Sequence, residues 1–211
     1  METIELVKKF RPIFIFHPEE KYYPINLKYI RENCDGTMIK TFKEGFSKKE
    51  NLPMEPLYYN ILLRDNEELI VNYILLYSYS ECGFLGMSSI EGDIKWCTVS
   101  IDLKSKTLKK ICYGNDMIKN FEMKTDRPEI YVSLGSHNFS SNEYTLKNIF
   151  GYVSEETKRG HVWAPGLTQM YSLNKLCKKY LHQTKLVPKE IFNIPFWFLK
   201  LILKIIKANN K

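Results

Sequence analysis

The chain has 211 residues, 44% of them hydrophobic and 14% aromatic, enough to bury one sizeable core and suited to one domain better than two. Its net charge of +7 is unevenly placed: from Lys175 to Lys211 nine lysines face one acid, Glu190, a local +8 that leaves residues 1–174 at −1. A body of mixed charge excludes the basic groove that a nucleic-acid binder needs, so no nucleic-acid partner is expected.

Met1 leads into "ETIELVKKF", with no long apolar run and no small-residue cleavage site, so neither a secretory signal nor an N-terminal membrane span is expected and the location is taken as cytoplasmic. The five cysteines, Cys34, Cys82, Cys97, Cys112 and Cys177, form no CxxC pair. That pattern argues against a disulfide framework and a zinc cluster.

In chain order, "PIFIF" reads as a strand that runs into "HPEEKYYP", residues 17–24. "INLKYIREN" suits a short helix, and residues 35–55 lack a sustained period and read as a surface loop. In "ELIVNYILLYSYS" the alternate residues Leu69, Val71, Tyr73, Leu75, Tyr77 and Tyr79 form one face of a long strand. With "PLYYNILL" before it and Asp65-Asn66 at the turn, it predicts a hairpin.

"DIKWCTVSIDLKSKTLKKICYG" repeats that layout, with Cys97, Val99, Ile101 and Leu103 on one side and a Lys-Ser-Lys turn. "RPEIYVSLGSHNF" supplies a strand through Ile130, Val132 and Leu134 that Gly135 breaks, and "GHVWAPG" a short extended piece. Residues 172–183 show helical spacing behind a serine cap. Half-apolar hairpins pack most simply as two sheets, so the predicted fold is mainly β: an antiparallel β-sandwich over residues 1–185 with peripheral helices, followed by a basic amphipathic tail over residues 186–211.

Four fragments in order, "HPEEKYYP", "IEGDIKWCTVSID", "PEIYVSLGSHNF" and "GHVWAP", resemble the family named after vacuolar protein sorting-associated protein sixty-two, over roughly residues 11–166. The chain is more distantly similar to the necrosis-inducing cytolysins. That second resemblance implies a β-sandwich whose acids and histidines hold a divalent cation against a lipid headgroup. The chain departs from the family pattern at its centre: where His, Asp, Trp and Glu are expected it has Ile90, Asp93, Ile94 and Lys95. Glu91, Asp93 and His137 remain as candidate ligands, but a hard cation needs several oxygen ligands and is repelled by an ammonium a few ångströms away. No metal site is therefore assigned and no cofactor is expected.

His17 follows an apolar strand and precedes Pro18, which restricts it toward extended backbone, so the opening motif is read as architecture. His137 sits at a strand end, where loops carry sites, and Ser136 beside it lacks the Gly-x-Ser-x-Gly context of a nucleophile elbow. With no GxxxxGK[ST], GxGxxG or HExxH, no catalytic residue is assigned and the protein is expected not to be an enzyme.

The tail "NIPFWFLKLILKIIKANNK" is the sharpest physical feature. Lys200, Lys204 and Lys207 fall at i, i+4 and i+7, in one stripe on an otherwise apolar helix that Pro195 begins. Thirteen residues from Ile194 to Ile206 make about 20 Å of helix, short of the roughly 30 Å of a bilayer core. An interfacial helix is expected, with Phe196, Trp197, Phe198, Leu199, Ile202 and Ile206 toward lipid and the lysines toward anionic headgroups. Docking on the body or on a protein partner is the other use of such a segment. The function this predicts is non-enzymatic membrane-surface association. The alternatives are a structural or accessory component of a larger assembly such as a viral particle, and a metal-dependent hydrolase built on His17, Asp93 and His137.

Overall fold

Strand formation follows the period-two pattern closely. The computed structural model describes residues 2–26, 49–64, 66–82, 88–113, 127–147 and 151–173. Its longest elements are β3, Glu68–Cys82, and β4, Ser88–Asp102, paired antiparallel from Glu68↔Asp102 to Cys82↔Ser88. β2, Leu57–Arg64, and β5, Thr107–Tyr113, complete the two predicted hairpins. The β4–β5 turn is closed by the Ser105 N–H donating to Asp102 Oδ1 at 2.7 Å, with Lys106 at φ 54°.

The first sheet has the order β11-β2-β3-β4-β5, where β11 is Met170–Ser172. The second has the order β10-β1-β6-β7: β1 is Ile13–Phe16, β6 Glu129–Val132, β7 Phe139–Ser140 and β10 Val162–Trp163. A separate ribbon pairs β8, Tyr144–Lys147, with β9, Val153–Thr157. The sandwich is mostly antiparallel, yet β1 runs parallel to β6 and β11 parallel to β2. Those strands come from distant parts of the chain, and no hairpin signal announces them.

The two sheets meet through their alternate residues. Leu69, Val71, Tyr73, Leu75 and Tyr77 of β3 join Cys97, Val99 and Ile101 of β4 and Phe14, Phe16, Ile130, Val132 and Trp163 of the other sheet in one buried cluster. Each large side chain buried there contributes roughly 1.5–3 kcal/mol. Phe14 stacks on Trp163 at 5.7 Å between ring centroids. Cys97 is buried and unpaired, and burial pushes its thiol far above the usual range.

A short helix α1, Glu2–Lys9, was not expected. It closes one side of the core with Leu6, Val7 and the following Phe10, and the Tyr73 hydroxyl donates to the Val7 carbonyl at 2.6 Å. Residues 49–54, expected as loop, form a 3-10 turn that buries Leu52. The helices expected over 25–33 and 172–183, the boundary at 185 and the whole tail lie outside the described residues, apart from Ile25, Asn26, Ser172 and Leu173. Among the described residues no helix is long and apolar enough to cross a membrane.

Candidate functional site

Strand alternation continues past the apolar part of β4 and puts Asp93 and Lys95 on the same inward face as Cys97, Val99 and Ile101. At that end of the sandwich the facing sheet stops: β6 ends at Val132, and the chain turns through Ser133–Asn138 before β7. Leu134, expected to continue the strand, leaves it and donates its N–H to the Glu156 carbonyl at 2.9 Å. Gly135 sits at φ 67° and His137 at φ 56°, a left-handed region that glycine enters freely and histidine more readily than most residues. A side chain at position 135 would place its Cβ 2.5 Å from the Glu81 carbonyl oxygen.

This turn drops the His137 ring into the sandwich mouth with no exposed surface. The ring stacks on Tyr77, centroids 3.8 Å apart and planes within 4°. Its edge lies between two acids, Nε2 3.4 Å from Glu20 Oε1 and Nδ1 3.7 Å from Asp93 Oδ2. These are ion-pair contacts, longer than aligned hydrogen bonds. Burial lowers the basicity of His137, but the two carboxylates outweigh it and raise its pKa above the ordinary histidine value. Burial likewise pushes Asp93 and Glu20 up, while His137 pulls both below the usual carboxylate range, helped by Lys95 at Asp93 and by backbone N–H groups at Glu20.

Glu20 was not singled out in the sequence. The turn that begins the motif, with the Glu20 N–H donating to the His17 carbonyl at 3.1 Å, sends Glu19 to solvent and Glu20 inward. Its carboxylate accepts from the N–H groups of Lys21 and Tyr22, each at 2.8 Å, and of Gly135 at 2.9 Å. Glu20 thereby ties "HPEEKYYP" to "GSHN". Nothing in the spacing of two adjacent glutamates distinguishes them; only the turn does.

His17 has a different role. Its Nδ1 accepts from the Glu19 N–H at 3.1 Å, which places the proton on Nε2, facing Glu156 Oε2 at 3.2 Å. Both ring nitrogens are engaged by architecture. Behind it, a Cβ at Gly160 would lie 2.5 Å from the Pro18 nitrogen, so the strand exit needs glycine there. Ser136 is also committed, its hydroxyl 2.6 Å from that of Ser133 and 3.3 Å from Glu155 Oε1, while the neighbouring His137 ring faces carboxylates. The three residues of the hydrolase alternative do not form one nucleophile–base set: Asp93 meets His137, and His17 is turned to other partners.

Among the candidate ligands, Asp93 and His137 are brought together, whereas Glu91 is placed only by its backbone, opposite Tyr79. Lys95 Nζ lies 3.4 Å from Asp93 Oδ2 and donates to Asn138 Oδ1 at 3.0 Å. Among the described residues no three His, Cys, Asp or Glu side chains are grouped to hold a metal ion. With both His137 nitrogens facing carboxylates and an ammonium on Asp93, the residues present do not fit the divalent cation that the cytolysin resemblance implies.

Next to this cluster is a cavity of about 250 Å³ lined by Glu19, Glu20, Glu81, Glu155 and Glu156 together with Lys21, Tyr22 and Gly135. Among its acids, Glu81 and Glu156 have side-chain partners: the Tyr22 hydroxyl reaches Glu81 Oε1 at 3.5 Å, and Glu156 Oε1 pairs with Lys158 at 3.0 Å. Burial, then Glu81, raise the Tyr22 phenol to about 12.

No protein-family model matches the sequence, and no curated protein matches it either. Solved structures do. One, named "NLPPya in complex with glucosamine", has a TM-score of 0.50 at 10% identity, covering 87% of this chain and 81% of that one. The likeness is one of fold. Another, named "Toxin fold for microbial attack and plant defense", has a TM-score of 0.47 at 10% identity over 81% of this chain and 74% of the other.

Proposed function

We propose that the chain is a non-enzymatic, cytolysin-like β-sandwich that attaches to an anionic membrane surface through its C-terminal segment. The observation that carries the reading is the charge pattern of the tail. Lys200, Lys204 and Lys207 recur at i, i+4 and i+7 among Phe196, Trp197, Phe198, Leu199, Ile202 and Ile206, a spacing that a helix would gather into one stripe, and each lysine near an anionic surface contributes on the order of 1 kcal/mol. The non-enzymatic half is supported by the inward-turned site, where His17, Ser136 and His137 are each engaged by structural partners. The resemblance to the family of vacuolar protein sorting-associated protein sixty-two belongs to the same proposal, because its two best-matching segments are the ones that Glu20 joins.

Liposome co-sedimentation of the full chain and of a version ending at Lys189 tests this directly. The full chain should pellet with anionic vesicles at low salt, less at high salt, and little with neutral ones, while the shortened chain stays in solution. If both stay in solution, membrane attachment is refuted. A structural role in a larger assembly, engaged through the same segment, then takes its place.

A second reading is favoured by the acidic cavity. Its size and five glutamates suit a small cationic ligand, and the fold neighbour is named as a complex with glucosamine, a sugar that carries an ammonium group. Calorimetric titration with glucosamine and with glucose separates the cases: binding of the amine alone supports this reading, and binding of neither removes it.

A further inference from the structure

Where β4 passes the Ser133–Asn138 turn, two acids and two bases meet. Glu20 and Asp93 are each 7% exposed, and the His137 ring between them is fully buried. One protonated imidazole compensates only one of the two carboxylates, and an uncompensated charge at such depth is strongly unfavourable. A further cation is required, and Lys95 supplies it. Its Nζ rests 3.4 Å from Asp93 Oδ2, held from the other side by Asn138 Oδ1 at 3.0 Å.

We propose that the Lys95 ammonium is the resident cation of this cluster and takes the place of a divalent ion, making the site a metal-independent version of a cation-centred one. The formal charges of Glu20, Asp93, His137 and Lys95 then sum to zero, whereas a dication added to the same set leaves two positive charges in excess. A ligating histidine must also offer a bare nitrogen, and both nitrogens of His137 point at carboxylates. A metal ion bound by Asp93 would finally lie within a few ångströms of Nζ, which repels it. Lys95 also joins β4 to the turn through Asn138, a mechanical link that a bound ion would otherwise make.

Thermal unfolding of the full chain in EDTA and in millimolar Ca2+, Mg2+ or Mn2+ tests the assignment, with Mn2+ binding followed directly by electron paramagnetic resonance. The native protein should show the same Tm in all conditions, within about 1 °C, and no bound Mn2+. Lys95→Glu replaces the ammonium with oxygen ligands; it should lose stability in EDTA and recover on the order of 5 °C with a divalent ion. Lys95→Gln, which is one atom shorter, stays polar and removes the charge, should unfold below the native protein in EDTA and serves if Lys95→Glu does not fold. A native protein stabilised by divalent ions would overturn the proposal. So would a folded Lys95→Glu indifferent to all three ions, or a Lys95→Gln with native stability in EDTA.

Discussion

Glu20→Gln is the substitution for which the structure gives the firmest magnitude. The carboxylate accepts three backbone N–H groups at 2.8, 2.8 and 2.9 Å and faces His137 Nε2 at 3.4 Å. The amide is nearly isosteric but keeps a single acceptor oxygen, so at least one of those donors meets an NH2 group and the buried imidazole loses one of its two counter-charges. Hydrogen bonds to a charged group are worth about 1.5–3 kcal/mol each, and removing one partner of a buried ion pair costs about 3–5 kcal/mol. These overlap, so the expected loss is about 3–5 kcal/mol, a fall in Tm of roughly 6–20 °C for a chain of this size. Glu19→Gln changes the same residue type one position earlier, exposed to solvent, and should stay within about 0.5 kcal/mol. Urea and thermal unfolding followed by tryptophan fluorescence measure both. Equal stabilities for the two variants would refute the assignment of Glu20 as the tie between the opening motif and the His137 turn.

Three further outcomes follow from the same geometry. Gly135→Ala combines a positive φ with a Cβ 2.5 Å from the Glu81 carbonyl, and should cost more than about 2 kcal/mol by urea unfolding. Tyr73→Phe removes the bond that docks α1; it should cost about 1 kcal/mol and speed hydrogen exchange over residues 2–10 without affecting the His137 cluster. Stability should also depend on pH in a defined window. His137, raised from 6.5, stabilises fully below that value and loses its contribution as pH climbs through its folded pKa; Glu20 and Asp93, lowered from 4.5 and 3.8, stabilise above those values and fail as pH falls through theirs. Thermal scans should therefore peak between about 4.5 and 6.5 and decline on both sides.

The hairpins were legible because period-two alternation and turn residues are local signals: the predicted faces of β3 and β4 are the ones that enter the shared core cluster, from Leu69 to Tyr77 and from Cys97 to Ile101. The parallel pairings of β1 with β6 and of β11 with β2 were not, since each joins segments more than a hundred residues apart with nothing local to mark the register. α1 was missed because eight residues that carry two core side chains, Leu6 and Val7, with Phe10 just beyond them, form too short a period to stand out. At the site, Asp93 and His137 were visible through the motifs that carry them. Lys95 was visible as a departure from the pattern, but its contact with Asn138 was not. Tyr77 was read only as one more inward residue of β3, and its stacking on His137 depends on a turn that no sequence period encodes.

His137 is the buried positive centre of a closed ion cluster rather than a free base or a metal ligand. Nitrogen-15 NMR of the histidine rings across pH tests it, with His161 as internal reference because burial and then Lys49 lower its pKa. His137 should titrate above 6.5 and at distinctly higher pH than His161, with both ring nitrogens protonated below that transition. A His137 ring that is neutral wherever His161 is neutral, or that shifts on addition of a divalent ion, would contradict it.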